Sequence, residues 1–484
     1  MKHLIWIGVS SLFAAAAMAQ TPSYTVTDLG TFPGGDTSFG FQLNNSGMVA
    51  GSSNSAPKGP QVAFIWYGGQ LINLGTLGGS ACPNCNSGAD GPNAGGEVAI
   101  GSDTAKMDPN NEDFCLFGTH HQCLGGIWRD GFLTALPTLP GGNNANAFNL
   151  NDQGMVIGFS ENGVKDPTCA SNGMPNQVSQ FQAVWWDVEN HIHPLQPLPG
   201  DTVSFAIGVN DLGQVVGSSG LCSNTAVPPM PAGPHAVLWD TDGTPIDMGN
   251  LGGGNSIGDA INNLGQVVGG ASTKDGTIHG FYWTKDAGIQ DLGGYPGAIV
   301  TVPPCCNSIN DLGQIVGFAL DGTTFTQRAL IWLNGVMTDL NTLIPANSGW
   351  YLAQAASINN AGEIAGVGII NGEQHGVLLT PASPPMATAA VVTPLALTTS
   401  DSSVVLDASG STSASGHLTY LFQVVPGGLQ PALLQTPTNP KATVDFVKGP
   451  GQYLVQLTVT DASGNTAKSP VITLNYQPAS TSGS

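Results

Sequence analysis

Several residue clusters in this sequence have types and spacings that could do chemistry. Asp108-Pro-Asn-Asn-Glu-Asp113 gathers hard oxygen donors, so Asp108, Asn110, Glu112 and Asp113 are candidate calcium ligands. The stretch lacks the glycine and closing glutamate of an EF-hand loop, and a solvated acidic loop is the competing reading. Eight cysteines, Cys82, Cys85, Cys115, Cys123, Cys169, Cys222, Cys305 and Cys306, make an even count that suggests disulfides in an exported chain. The expected pairs are Cys115 with Cys123 and Cys169 with Cys222; Cys82–Cys85 and the vicinal Cys305–Cys306 remain. Cys82-Pro-Asn-Cys85 has the spacing of a redox motif without its βαβ setting. Cys115, His120, His121 and Cys123 are ligand types that zinc accepts, set against a stapled loop. His235, His279 and His375 recur at one position of a repeat, which favours a structural hydrogen bond over a ligand.

The elements that must position these residues are set by a second pattern. Ile261-Asn-Asn-Leu-Gly-Gln-Val-Val-Gly269 recurs with small edits at Leu43–Gly51, Leu150–Gly158, Val209–Gly217, Ile309–Gly317 and Ile358–Gly366. A worn copy, Asn93–Gly101, reads as carrying one extra residue before its last glycine. Alternation before each leading asparagine predicts a strand, Asn-Asn/Asp-x-Gly a tight turn, and the β-branched residue after it a second strand. Downstream runs ending in tryptophan (Ala63–Trp66, Gly126–Trp128, Ala183–Trp185, His235–Trp239, His279–Trp283, Arg328–Trp332) predict a third strand. Asp-Leu-Gly or a relative, as at Asp247–Gly249 and Asp291–Gly293, closes a fourth. Four short strands recurring about every fifty residues read as a β-propeller blade.

Tyr24–Gly30 matches a fourth strand with no first three, while 355–381 supplies three strands with no fourth. The fold expected is therefore all-β: a seven-bladed β-propeller over residues 20–381, closed by strand 24–29, followed by an immunoglobulin-like β-sandwich over 391–477. Residues 1–19 read as a secretory signal, 382–390 as a Pro/Ala linker and 478–484 as a polar tail. With the pre-asparagine strand innermost, the long segments 52–62, 102–125, 160–180, 218–234 and 296–304 all fall on one face, where binding usually resides.

The repeat, with Leu74-Gly-Thr-Leu-Gly-Gly79, Ile261–Gly269 and His235-Ala-Val-Leu-Trp239, resembles the HAF family of bacterial extracellular repeats over about 24–381. That resemblance implies an exported bacterial repeat protein with no established activity. Val405-Leu-Asp-Ala-Ser-Gly-Ser411 and Gly451–Asp461 are similar to a PKD-type immunoglobulin-like domain, although Tyr420-Leu-Phe-Gln423 departs from that pattern. Such domains act as spacers or adhesive modules.

Charge narrows the partners. Lys and Arg total 11 against 32 acids, a net charge of −21, which disfavours nucleic acid and anionic membrane surfaces. No membrane insertion is expected after signal cleavage. A propeller glycosidase needs two carboxylates on its inner strands, and only Asp259 aligns there. A vicinal cysteine pair on a propeller resembles quinone-dependent dehydrogenases, but no acidic metal cluster accompanies it. The sequence therefore predicts a secreted or cell-surface, non-enzymatic binding or adhesion protein without a cofactor, calcium apart. It would recognise a glycan or surface partner through its loop face. The alternatives are a glycan-active or quinone-dependent enzyme and a purely structural surface protein. Candidate contacts are Phe39, Phe205, Trp350 and Tyr351, with capping of the core as their other reading.

Overall fold

A computed structural model describes residues 24–171, 177–225, 233–305, 307–382, 392–394, 396–412, 418–425, 433–436, 438–447, 449–461 and 466–478. The expected signal segment, all but one residue of the linker, Cys306 and most of the tail lie outside them. No helix among the described residues is long and apolar enough to cross a membrane.

The chain folds as antiparallel sheets joined in sequence. Unit I comprises Ser38–Leu43, Val49–Asn54, Gln61–Tyr67 and Gln70–Gly75. Unit II comprises Ser87–Pro92, Val98–Met107, His121–Arg129 and Phe132–Ala135. Unit III comprises Ala145–Leu150, Val156–Lys165, Ser179–Trp186 and Ile192–Pro194. Unit IV comprises Val203–Val209, Val215–Gly220, His235–Trp239 and Pro245–Asp247. Unit V (Gly252–Ile261, Val267–Thr273, Ile278–Thr284, Gly288–Asp291) and unit VI (Ala298–Val302, Ile315–Asp321, Gln327–Leu333, Val336–Asp339) are joined by a short parallel pairing of Ile278 with Val300. Unit VII takes Tyr351–Ile358, Ile364–Ile370 and Glu373–Pro381 from late in the chain and Tyr24–Asp28 from its start. Tyr24 pairs with Pro381 and Asp28 with Val377.

The repeat explains each sheet. Gly265 turns at φ +72°, a conformation that costs a β-branched residue heavily. Gly269 lies under its partner strand: a Cβ there would sit 2.0 Å from Ile257 O and 2.8 Å from Phe281 Cζ. The motif glycine also faces a large residue on the third strand, as Gly51 faces Phe64 and Gly317 faces Leu330. Unit II corrects the sequence reading. Its asparagine turn has the same length as the others, so nothing is inserted; Ile100 simply occupies the glycine position, and the residue opposite it shrinks to Gly126. The tryptophan of unit III is likewise displaced by one. Trp186, not Trp185, lies opposite Val156, as Trp239 lies opposite Val215. Trp186, Trp239 and Trp332 are buried, and each indole donates to a carbonyl of the preceding unit: Pro137 (2.9 Å), Gln196 (2.7 Å) and Leu292 (3.3 Å).

The leading asparagines tie the units together. Within its own turn the Asn262 Oδ1 accepts from the amides of Leu264 and Gln266. Its Nδ2 donates to Gln266 Oε1 and to the carbonyl of the next leading asparagine, Asn310, at 2.9 Å. The same inter-unit bond runs Asn44→Asn93, Asn93→Asn151, Asn151→Asn210, Asn210→Asn262, Asn310→Asn359 and Asn359→Asn44, at 2.9–3.2 Å. The bonds form a closed cycle. The residue after the leading asparagine forms a second tier in six units: Asp152, Asp211, Asn263, Asp311, Asn360 and Asn45 each accept from the backbone N–H of the preceding unit's turn, while Ala94 in unit II only donates. The first position must donate and accept, so it is always Asn. The second need only accept, so either Asn or Asp serves there, with Ala94 of unit II the exception.

The C-terminal residues form a separate core between a sheet of Ala396–Thr399, Leu418–Val424, Gly451–Asp461, Thr466–Lys468 and Ile472–Tyr476 and a sheet of Ser403–Asp407, Leu433–Gln435 and Lys441–Asp445. Phe422, Tyr453, Leu457 and Leu474 are buried between them.

Candidate functional site

The two ends of the inner strands differ. At the asparagine-turn end, the cycle described above surrounds a shallow polar depression with Asn307 in its lining, where Asn149 Nδ2 reaches Asn307 Oδ1 at 3.5 Å. The leading asparagines there spend their polar atoms on one another, which makes this end a structural seal.

The other end carries the long loops and the cysteines. Disulfides join Cys82 to Cys85, Cys115 to Cys123 and Cys169 to Cys222. Cys115 and Cys123 are thus bonded to each other, not presented as zinc-binding thiolates. His120 Nδ1 lies 3.0 Å from Asn111 O, and His121 Nε2 lies 3.9 Å from Cys82 Sγ. Cys305 is half-buried; its sequence neighbour Cys306 lies outside the described residues. Behind the disulfides, Phe114, Phe159, Phe181 and Phe205 pack ring against ring at 5.0–6.5 Å.

Phe205 is therefore a core residue and not a contact. Phe39 is half-buried and stacks on Phe41 at 5.8 Å. Trp350 packs beside the unit VII core and over Gly368, where a Cβ would meet Trp350 Cε3 at 2.7 Å. Tyr351 donates its hydroxyl to Gln327 O at 2.7 Å. These four aromatics are not brought to one place by any contact in the fold.

The calcium candidates divide: Asp108 and Glu112 converge on one donor, Asn144 Nδ2, while Asn110 and Asp113 take other partners. Asp108 is buried; its Oδ1 accepts from the amides of Asn110 and Glu112, and its Oδ2 from Asn144 Nδ2 at 2.8 Å. Glu112 is buried on Asn144 Nδ2 and the Val178 amide. The Asn110 oxygen accepts from Lys165, and Asp113 accepts from Gly118 N. Sequence reasoning missed the third carboxyl at Asn144 Nδ2, that of Glu161, which lies far along the chain and also accepts from the amides of Asn143 and Asn144. Burial, then the adjacent Glu112 carboxyl, pushes Glu161 up to about 8.

The recurring histidines make structural pairs. His235 Nδ1 lies 3.2 Å from Asp247, and His279 and His375 lie 3.0 Å from Asp291 and Asp28. In unit VI an arginine takes the position, and Arg328 pairs with Asp339.

Beneath the loops lies an apolar cavity of about 370 Å³. Its walls come from the first three strands of unit V, from the first strand of unit VII, from 300–305, Phe318 and Gln327 in and beside unit VI, and from Phe41 of unit I. Asp259 supplies its one carboxyl and is 7 % exposed. Burial raises that carboxyl well above the usual range, opposed only by the Gly270 amide. A second inner-strand carboxyl, Asp90, was hidden by the misread worn copy. Burial pushes it up to about 7, but it does not line this cavity. The cavity was not legible either, because 296–304 read as an irregular loop, whereas Ala298–Val302 is the inner strand of unit VI.

A scan against protein-family models finds no match, and a search of curated proteins finds none. The likeness to HAF repeats thus rests on the repeat residues alone. Among solved structures, a streptogramin B lyase structure is 10% identical, with 74% of this chain and 98% of that chain covered and a TM-score of 0.41. A mutant Aleuria aurantia lectin in complex with Fucα1-6GlcNAc is also 10% identical, covering 64% and 98%, with a TM-score of 0.31. The PKD domain from KIAA 1837 protein is 26% identical over 18% of this chain and 84% of its own, with a TM-score of 0.16. Similarities this low carry no argument about ligand or chemistry.

Proposed function

We propose that this chain is an exported, non-enzymatic binding protein. Its seven units would form the blades of a propeller, with Tyr24–Asp28 as the clasp, and its loop face would engage a glycan or a surface partner. The observation that carries this reading is the asymmetry of the two ends. One is sealed by the asparagine cycle, and the other bears three disulfides, the long loops and a cavity. A rigid scaffold with stapled loops loses little entropy on binding. The disulfides favour an oxidising compartment. Catalysis by paired carboxylates is the weaker reading, because Asp90 and Asp259 do not share a cavity. A glycan array probed with the purified chain tests the proposal. Binding should survive removal of residues 385–484 and weaken after reduction of the disulfides. A chain that retains no glycan and no extracellular surface preparation would leave only a structural role.

A further inference from the structure

The cavity beneath the loops has a composition that specifies more than shape. Its lining contains one carboxyl, that of Asp259, and no Lys, Arg or His. Gln327 and Gln354 add two neutral amides, and most of the remaining wall is aliphatic, proline or phenylalanine. Gly270 leaves the space beside the carboxyl open: a Cβ there would come within 3.9 Å of Asp259 Oδ2 and 3.3 Å of Val302 Cγ1. Residues one place after the motif glycine are larger in five other units, as with Phe159 and Phe318; in unit II the position is Gly101, but Asn146 Oδ1 would lie 2.2 Å from a Cβ there, so no gap is left. Asp90 and Gly101 repeat the residue types in unit II, but only in unit V does the open space lie beside the carboxyl.

We propose that this cavity binds a small organic cation, an amine with an aromatic or aliphatic body, whose ammonium group meets Asp259. A carboxylate held in an apolar enclosure without a counter-charge is costly, and an entering cation supplies the missing partner. The volume suits a ligand of this size, since small-molecule sites are mostly apolar with a few placed polar groups. Phe41 and Phe318 also line the cavity, so aromatic rings are available to the cation or its apolar body. The net charge of −21 raises the local concentration of cations around the whole chain. This site is separate from the outer loop surface invoked for glycans, so either can fail alone.

The test uses the full chain and two probes of one shape, 2-phenylethylamine and 2-phenylethanol, titrated by calorimetry and by thermal shift. The amine should bind saturably and about tenfold or more tighter than the alcohol. Asp259→Asn should cut amine affinity by about tenfold or more and leave the alcohol unchanged. Gly270→Leu, which fills the gap, should remove amine binding even if the first variant folds poorly. Equal binding of amine and alcohol, amine binding indifferent to both variants, or no saturable amine binding would each overturn the proposal.

Discussion

Asn359 donates its side-chain amide to the carbonyl of Asn44 at 3.1 Å, although 315 positions separate them. That bond joins the last unit to the first, and it has the same form as the six others in the cycle. A side chain used this way needs a donor for its neighbour and an acceptor for its own turn. Asparagine meets both needs at this length.

The cycle predicts an asymmetry between adjacent positions. Asn151→Asp should destabilise the chain by about 1–3 kcal/mol, because a carboxylate oxygen would face the Asn210 carbonyl. Asp152→Asn keeps the acceptor for Ala94 N and removes a carboxylate that burial and Asp211 already disfavour. Its stability should lie within about 0.5 kcal/mol of the parent or above it. Urea denaturation of both variants checks the contrast.

The junction of first and last strands should be a point of weakness. Tyr24 is buried and its amide donates to Leu343 O at 2.9 Å, while His375 meets Asp28. Deleting 24–30 leaves Glu373–Pro381 with an unpaired edge beside apolar Val377 and Leu378, so melting temperature should fall or the chain should aggregate. Deleting residues from 385 onward should leave the melting of the remainder unchanged. Differential scanning calorimetry of the two truncations decides between them.

Much of this was legible because repetition averages out local ambiguity. The turn, the two strands beside it and the histidine positions follow from residues that recur, except in unit VI, where the inner strand is Ala298–Val302 and only Ile309 of the expected strand bridges Ile315. What failed were single-copy features. Ile100 against Gly126 is a volume exchange between two strands, invisible until they are paired. Glu161 of unit III meets Glu112 from the loop of unit II, with Asn144 Nδ2 donating to both. Phe205 looked like a contact because sequence places it at a loop end, whereas Phe159 and Phe181 enclose it.

The Cys169–Cys222 disulfide links units III and IV across a separation of 53 residues. Replacing both cysteines by serine should cost roughly 4 kcal/mol in the chain-entropy account, with more lost if the buried Phe159–Phe181–Phe205 packing loosens. Chemical denaturation with and without reductant should show the parent losing this increment and the double variant losing less.

Glu161 gives the pH dependence a definite sign. Its carboxyl ionises near 4.5 when unfolded and near 8 when folded. A raised folded value means that its contribution is fully present below about 4.5 and lost as pH rises through about 8. Stability should therefore decline from pH 5 to pH 9, by an amount on the order of a few kcal/mol, and Glu161→Gln should flatten that decline. An unchanged slope in the variant would assign the pH dependence elsewhere.

The central claim is a closed ring of seven units. An experimentally determined map of the full chain tests it most directly. The account predicts seven four-stranded sheets about one axis, with Asn359 Nδ2 within hydrogen-bond distance of Asn44 O. An open arc with solvent between units I and VII, or a ring of six or eight sheets, would contradict it.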